Sequence, residues 1–129
     1  MDTTDAARRW AQEWERGWRE HDLDRIAALY APGVSYRSSP LRELDDPRRF
    51  AEEAFEDEDS ADVRFSEPMA VSGDRAAVEW WAVSRSGSGE TTLAGISLLR
   101  FDENGLVCEE RDYWHEETGG REPFDGWGR

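Results

Sequence analysis

The chain has one cysteine and two histidines in 129 residues. That excludes an intrachain disulfide, and the few soft ligands stand too far apart for any zinc spacing. No window approaches the ~20 apolar residues of a membrane span. Positive charge is also short: 16 basic residues against 30 acidic ones leave a net charge of −14, which argues against binding to nucleic-acid phosphates or to anionic membrane. The N-terminus Met1-Asp2-Thr3-Thr4-Asp5 has neither a basic start nor an apolar run, so no secretory signal is expected and the cytoplasm is the expected compartment. No glycine-rich phosphate loop joins a strand to a helix, and His115-Glu116-Glu117 is not a metalloprotease motif. Neither a metal nor a cofactor is expected.

Tryptophan, by contrast, is abundant, with seven copies in a chain that is only 37% hydrophobic. A core made from few large groups suits such a composition, because each aromatic side chain buries ~150–250 Å². The length fits one domain spanning residues 1–129.

From Thr4 to about Glu20, Ala7, Trp10, Ala11, Trp14 and Trp18 recur at steps of three and four, which predicts an amphipathic helix. Trp10 reads as core, and Trp14 and Trp18 equally as pocket wall. His21-Asp22 ends this helix, with His21 at its C-terminus, and Asp22 or Asp24 caps a short second helix carrying Ile26, Ala27, Leu29 and Tyr30 up to Pro32-Gly33. Residues 34–38 alternate as a strand. Asp46-Pro47 caps a third helix with Phe50, Ala51, Ala54 and Phe55 on one side. The run Glu56-Asp57-Glu58-Asp59 reads as a solvated face, since its spacing is not that of a calcium loop.

Helical periodicity then gives way to strands over 63–71, 75–85 and 91–101, with short turns rich in Gly, Ser and Asn between them, so an antiparallel meander is expected. Its last member is the stretch Leu106 to His115, in which both alternation classes mix bulk with charge. If Glu103-Asn104-Gly105 is a three-residue turn with Gly105 left-handed, Leu93, Gly95, Ser97, Leu99 and Phe101 oppose His115, Tyr113, Arg111, Glu109 and Val107. That register gives the pocket to Glu109, Arg111, Tyr113 and His115, and leaves Cys108, Glu110, Asp112 and Trp114 for packing. A two-residue turn shifts every pair by one.

The order helix, helix, strand, helix, meander, together with Trp14-x3-Trp18-x3-Asp22, Leu29-Tyr30-Ala31-Pro32, Tyr36-Arg37-Ser38-Ser39-Pro40-Leu41-Arg42, Ala77-Val78-Glu79-Trp80-Trp81 and Asp112-Tyr113-Trp114, resembles the SnoaL-like subgroup of the nuclear transport factor 2-like superfamily. The resemblance implies an α+β fold, a cone-shaped barrel of three N-terminal helices on a strongly bent antiparallel sheet, with 117–129 as an irregular tail. It also implies a pocket for a small apolar ligand and a homodimer through the outer sheet face. Members of the superfamily include isomerases, cyclases, epoxide hydrolases and non-catalytic binding modules. SnoaL-like cyclases carry an acid/base Asp near the end of the last strand, and matching that strand puts His115 there, a departure from the family pattern.

On these grounds the expected catalytic residues are His115, Tyr36 and, as an alternative on the opposite parity, Asp112, with histidine suited by its pKa near ~6.5. Trp14, Trp18, Tyr30, Ser38, Glu79, Trp81, Ser97, Arg111 and Tyr113 are expected to bind the substrate. Tyr30 and Tyr36 are placed to stabilise an oxygen, and Glu79 or Glu109 to balance Arg111. The expected function is cofactor-independent isomerisation or cyclisation by general acid/base chemistry; the alternative is a non-catalytic ligand-binding or dimeric module.

Overall fold

A computed structural model describes all residues, 1–129. Helix α1 (Thr3–Glu20) starts at Asp2, whose carboxylate accepts the Asp5 N–H at 2.8 Å, and stops at His21, which takes a left-handed conformation (φ 52°). It buries Ala6, Ala7, Trp10, Ala11 and Trp14, the stripe that the tryptophan spacing predicts. Helix α2 (Leu23–Ala27) is a single turn and a half capped by Asp22, and α3 (Pro47–Phe55) is capped by Asp46 with Pro47 in its first turn.

Six strands follow or intervene: β1 (Tyr30–Arg37), β2 (Ser60–Phe65), β3 (Ala70–Ser72), β4 (Arg75–Ser86), β5 (Gly89–Phe101) and β6 (Val107–Thr118). They form one curved sheet in the order β1-β6-β5-β4-β2, with β3 also on β4; β1 runs parallel to β6 and the rest is antiparallel. The three helices pack on its concave face, so the architecture is the expected α+β cone. The core lies between them: Trp10 meets the Phe65 ring at 5.4 Å, and Ile26, Val78, Leu99 and Val107 are buried beneath. No helix is long and apolar enough to cross a membrane.

Three local expectations change. Leu29 and Tyr30 do not end α2; Tyr30 opens β1, which tolerates Pro32 because it is an edge strand whose missing N–H costs no ladder bond. The expected strand 63–71 is two strands, interrupted around Pro68, with the Ser66 and Met69 N–H groups rejoining β4 at Glu79 O and Ala77 O. The third change lies past the β5–β6 turn. The turn itself is the three-residue loop expected, with Gly105 left-handed (φ 77°) and the Asp102 N–H bonded to Leu106 O at 2.8 Å. Phe101 then pairs with Val107, but Arg100 pairs with Glu109, so Cys108 is an extra residue, a β-bulge. Every side chain beyond it changes face. Leu99, Ser97 and Gly95 therefore oppose Glu110, Asp112 and Trp114.

Gly95 is required by that packing. A Cβ there would lie 2.5 Å from Tyr113 O and 2.6 Å from Trp114 Cβ. Gly95→Ala is expected to lower the urea unfolding midpoint, at a cost of about 1–3 kcal/mol typical of overpacking.

Candidate active site

The bulge at Cys108 turns Glu110, Asp112 and Trp114 toward the helices. Glu110 is 1% exposed and Asp112 7%. Charged groups this deep need partners, and each carboxyl has one built from a hydroxyl that is itself held by indole N–H groups. Tyr30 Oη donates to Glu110 Oε1 at 2.7 Å and accepts from Trp14 Nε1 at 2.8 Å and Trp10 Nε1 at 3.2 Å. Ser97 Oγ donates to Asp112 Oδ1 at 2.6 Å and accepts from Trp80 Nε1 at 3.0 Å. Helix periodicity places Trp10 and Trp14 one turn apart over Tyr30; strand alternation places Trp80, Ser97 and Asp112 on one side of three adjacent strands.

The electrostatics follow from burial. Glu110 is held well above the usual carboxylate range, first by desolvation and then by the neighbouring Asp112 charge. Asp112 is raised less: desolvation lifts it, while polar contacts with Glu110, Ser97 and Tyr36 pull it back. Burial thus opposes ionisation of both acids, most strongly at Glu110. Burial and these carboxyls also push the Tyr30 and Tyr36 phenols well up, so both remain neutral hydroxyl donors.

Glu110, Asp112, Tyr36 and Ser97 face a cavity of about 310 Å³, of whose 17 lining residues 12 are hydrophobic. Five of the seven tryptophans line it: Trp10, Trp14, Trp18, Trp80 and Trp114. Arg42 and Glu53 reach its wall as well. Trp18 is fixed by Glu58, which accepts its N–H at 3.0 Å, takes the Ser84 hydroxyl at 2.6 Å and lies 2.8 Å from His21 Nε2. The Glu58 side chain is only 6% exposed. It is thus an exception within the acidic run expected to be solvated.

Of the residues expected at the site, Trp14, Trp18, Tyr36, Ser97 and Asp112 come together on the cavity wall, with Tyr30 directly behind Glu110. The others do not. Arg111, Tyr113 and His115 are exposed on the outer face, because the bulge reverses the pocket parity; Arg111 pairs there with Glu109 at 3.0 Å. Glu79 and Trp81 also point outward, being alternate to Val78, Trp80 and Ala82, and the C-terminal tail covers them. Trp81 Nε1 donates to Arg121 O at 2.8 Å, its ring meets Phe124 and Trp127 edge-on, and Gly128 N–H donates to Glu79 Oε2 at 3.0 Å. Ser38 is fully buried but off the wall; its carbonyl accepts the Trp114 N–H. Sequence reasoning missed Glu110, Trp80 and Trp114. The opposition of Glu110-Asp112-Trp114 to Leu99-Ser97-Gly95, small residues facing large ones, is the signal for them once the register is moved by one.

Helices packed on the concave face of one curved sheet are the architecture of the nuclear transport factor 2-like cone. Within it the chain belongs to the SnoaL-like domain family, whose family model matches residues 8–110. No curated protein matches the chain. Among solved structures it is similar to an LEH-like epoxide hydrolase of M. tuberculosis (16% identity, 88% of this chain and 86% of that one, TM-score 0.68). It is similar also to SalBIII, an epoxide hydrolase/cyclase-like enzyme in pyran ring formation in the polyether salinomycin (14%, 92% and 98%, TM-score 0.73). A third is PrhC from Penicillium brasilianum (14%, 88% and 83%, TM-score 0.72). At such identities the likeness is one of fold.

The raised acids make a stability prediction. Both bind protons more tightly folded than unfolded, so the stability they support is whole below the ordinary carboxylate range of about pH 4 and is lost as pH rises through their raised values. Glu110→Gln removes the group held furthest up. It is expected to leave the melting temperature at pH 4 nearly unchanged, to raise it at pH 8 and to flatten the decline between; an undiminished decline in the variant would trace it to other groups.

Proposed function

We propose that the protein is a cofactor-independent enzyme of the isomerase or cyclase type, with Asp112 as general base and Glu110 as the acid that shares its proton. The observation that carries this reading is the pair of buried carboxyls opening side by side onto an apolar cavity, each held by a hydroxyl–indole relay. A fully structural ion network would pair such acids with cations, and these are paired with hydroxyls instead. The cost of holding them in that state is what raises their proton affinity above that of ordinary carboxylates.

The chemistry available is a proton taken at one substrate atom and returned at another. Asp112 removes a proton from a carbon or hydroxyl; the acid form of the pair delivers a proton to a developing oxygen or carbon, and no net proton is gained or lost. The Tyr36 hydroxyl, neutral and beside Asp112, donates a hydrogen bond to a substrate oxygen in the same corner. Prototropic isomerisation fits this balance. So does opening of a strained cyclic ether by a hydroxyl of the same molecule, in which Asp112 deprotonates the attacking hydroxyl as the acid protonates the leaving oxygen. The similarity to an epoxide hydrolase and to an epoxide hydrolase/cyclase-like enzyme supports testing the second chemistry first. The surrounding indoles hold the apolar body and exclude water.

A thermal-shift screen of lipophilic ketones, epoxides, polyketides and terpenoids supplies the substrate. On that substrate Asp112→Asn is expected to lower kcat about 10²–10⁴-fold, the range of a lost general base, and Tyr36→Phe to lower it by a smaller factor. His115→Ala is expected to leave it unchanged. Full turnover by Asp112→Asn would remove Asp112 from the chemistry, and ligand binding without turnover by the unmodified chain would make the domain a non-catalytic binding module.

A further inference from the structure

The five cavity tryptophans have all committed their N–H groups to the protein. Trp10 and Trp14 donate to Tyr30, Trp18 to Glu58, Trp80 to Ser97 and Trp114 to the Ser38 carbonyl. With those donors engaged, the indoles have only their carbon rings left for a ligand, and the ring faces carry the negative side of the quadrupole. Phe50, Phe55 and Phe65 enlarge that surface. The ionisable wall residues have the same bias: Glu53, Glu110 and Asp112 stand against one guanidinium, Arg42. Arg42 itself lies over the Phe50 ring, 5.6 Å from its centre, so one cation already uses an aromatic face of this wall. The Tyr36 hydroxyl remains as a neutral donor on this wall. What remains for a ligand is a box of ring faces and carboxylate oxygens with few free donors, in a chain whose net charge is −14.

We propose that the ligand of this cavity is an apolar cation, a molecule whose substituted ammonium group sits among the faces of Trp14, Trp18, Trp80 and Trp114 with the Asp112 carboxylate as counter-ion. The proposal rests on the cavity being the substrate site and adds the charge of its occupant. A quaternary or tertiary ammonium suits it better than a primary one, because alkyl groups spread the charge and lower the cost of leaving water while contacting the rings. An anion would meet three carboxyls with only Arg42 in its favour. The acidic surface further draws cations inward, an effect that salt screens.

The test uses the full chain and three probes of one shape: 3-phenylpropyltrimethylammonium, its neutral isostere (4,4-dimethylpentyl)benzene, and 4-phenylbutanoate, titrated by tryptophan fluorescence at low and high salt. The cation is expected to bind about tenfold or more tightly than the isostere, with phenylbutanoate weakest. Asp112→Asn is expected to remove most of that preference while leaving the isostere's affinity nearly unchanged, and Trp18→Leu to weaken both ligands, the cation by the larger factor. Should one variant fail to fold, the other carries the comparison. Equal affinity for cation and isostere, or a preference for phenylbutanoate, overturns the cationic ligand and leaves the cavity as substrate site. Failure of all three probes to bind overturns both.

Discussion

Withdrawing two carboxyl groups from water to adjacent positions on one strand carries a penalty of several kcal/mol per charge, and the architecture is organised to meet it. Glu110 needs Tyr30, Tyr30 needs the indole N–H groups of Trp10 and Trp14, and so the start of β1 is pinned to two successive turns of α1. Asp112 needs Ser97 and Ser97 needs Trp80, which ties β6 to β5 and β4 at one level of the sheet. The raised proton affinity of both acids lowers the burden further, since a carboxyl that holds its proton stores no charge. A polar network of this kind is worth having only when each member is satisfied. That explains why aromatic residues dominate the site: an indole supplies bulk for the core and one fixed donor for the relay.

Much of the fold is readable in the sequence because its signals are local. The spacing of Trp10, Trp14 and Trp18 gives α1, Asp46-Pro47 gives α3, and Gly105 gives the β5–β6 turn in its observed form. Tyr30 misleads because Ile26, Leu29 and Tyr30 fit a helical stripe, and only the distant Glu110 shows why the residue must be a strand's first member. Glu58 misleads for a similar reason, as one buried acid inside a run of exposed ones. The bulge at Cys108 has no local mark, neither glycine nor proline. Register is pinned by a hydrophobic face, and in β6 both faces carry acids and aromatics, so the pattern cannot choose between them. The catalytic reading of the strand therefore turned on a residue that carries no chemistry of its own.

Chains with 14–16% identity share this cone over most of their length, so the scaffold depends on few particular side chains. The site depends on many. The family match ends at residue 110, and Asp112 and Trp114 lie just beyond it, in the middle of β6. The matched segment includes Glu110 and most of the cavity wall, and the following residues of β6 add Asp112 and Trp114.

The Cys108 bulge makes the facing of β6 a matter of register. Because Cys108 is the unpaired residue, its loss would leave Arg100 opposite Glu109 and Leu99 opposite Glu110 and keep the inward set; pairing Cys108 with Arg100 instead would slide every later residue by one and turn Arg111, Tyr113 and His115 inward. The outward set is itself rich in ionisable side chains. One strand thus carries two alternative sets of side chains, and the bulge, a single step of register, decides which of them meets the cavity.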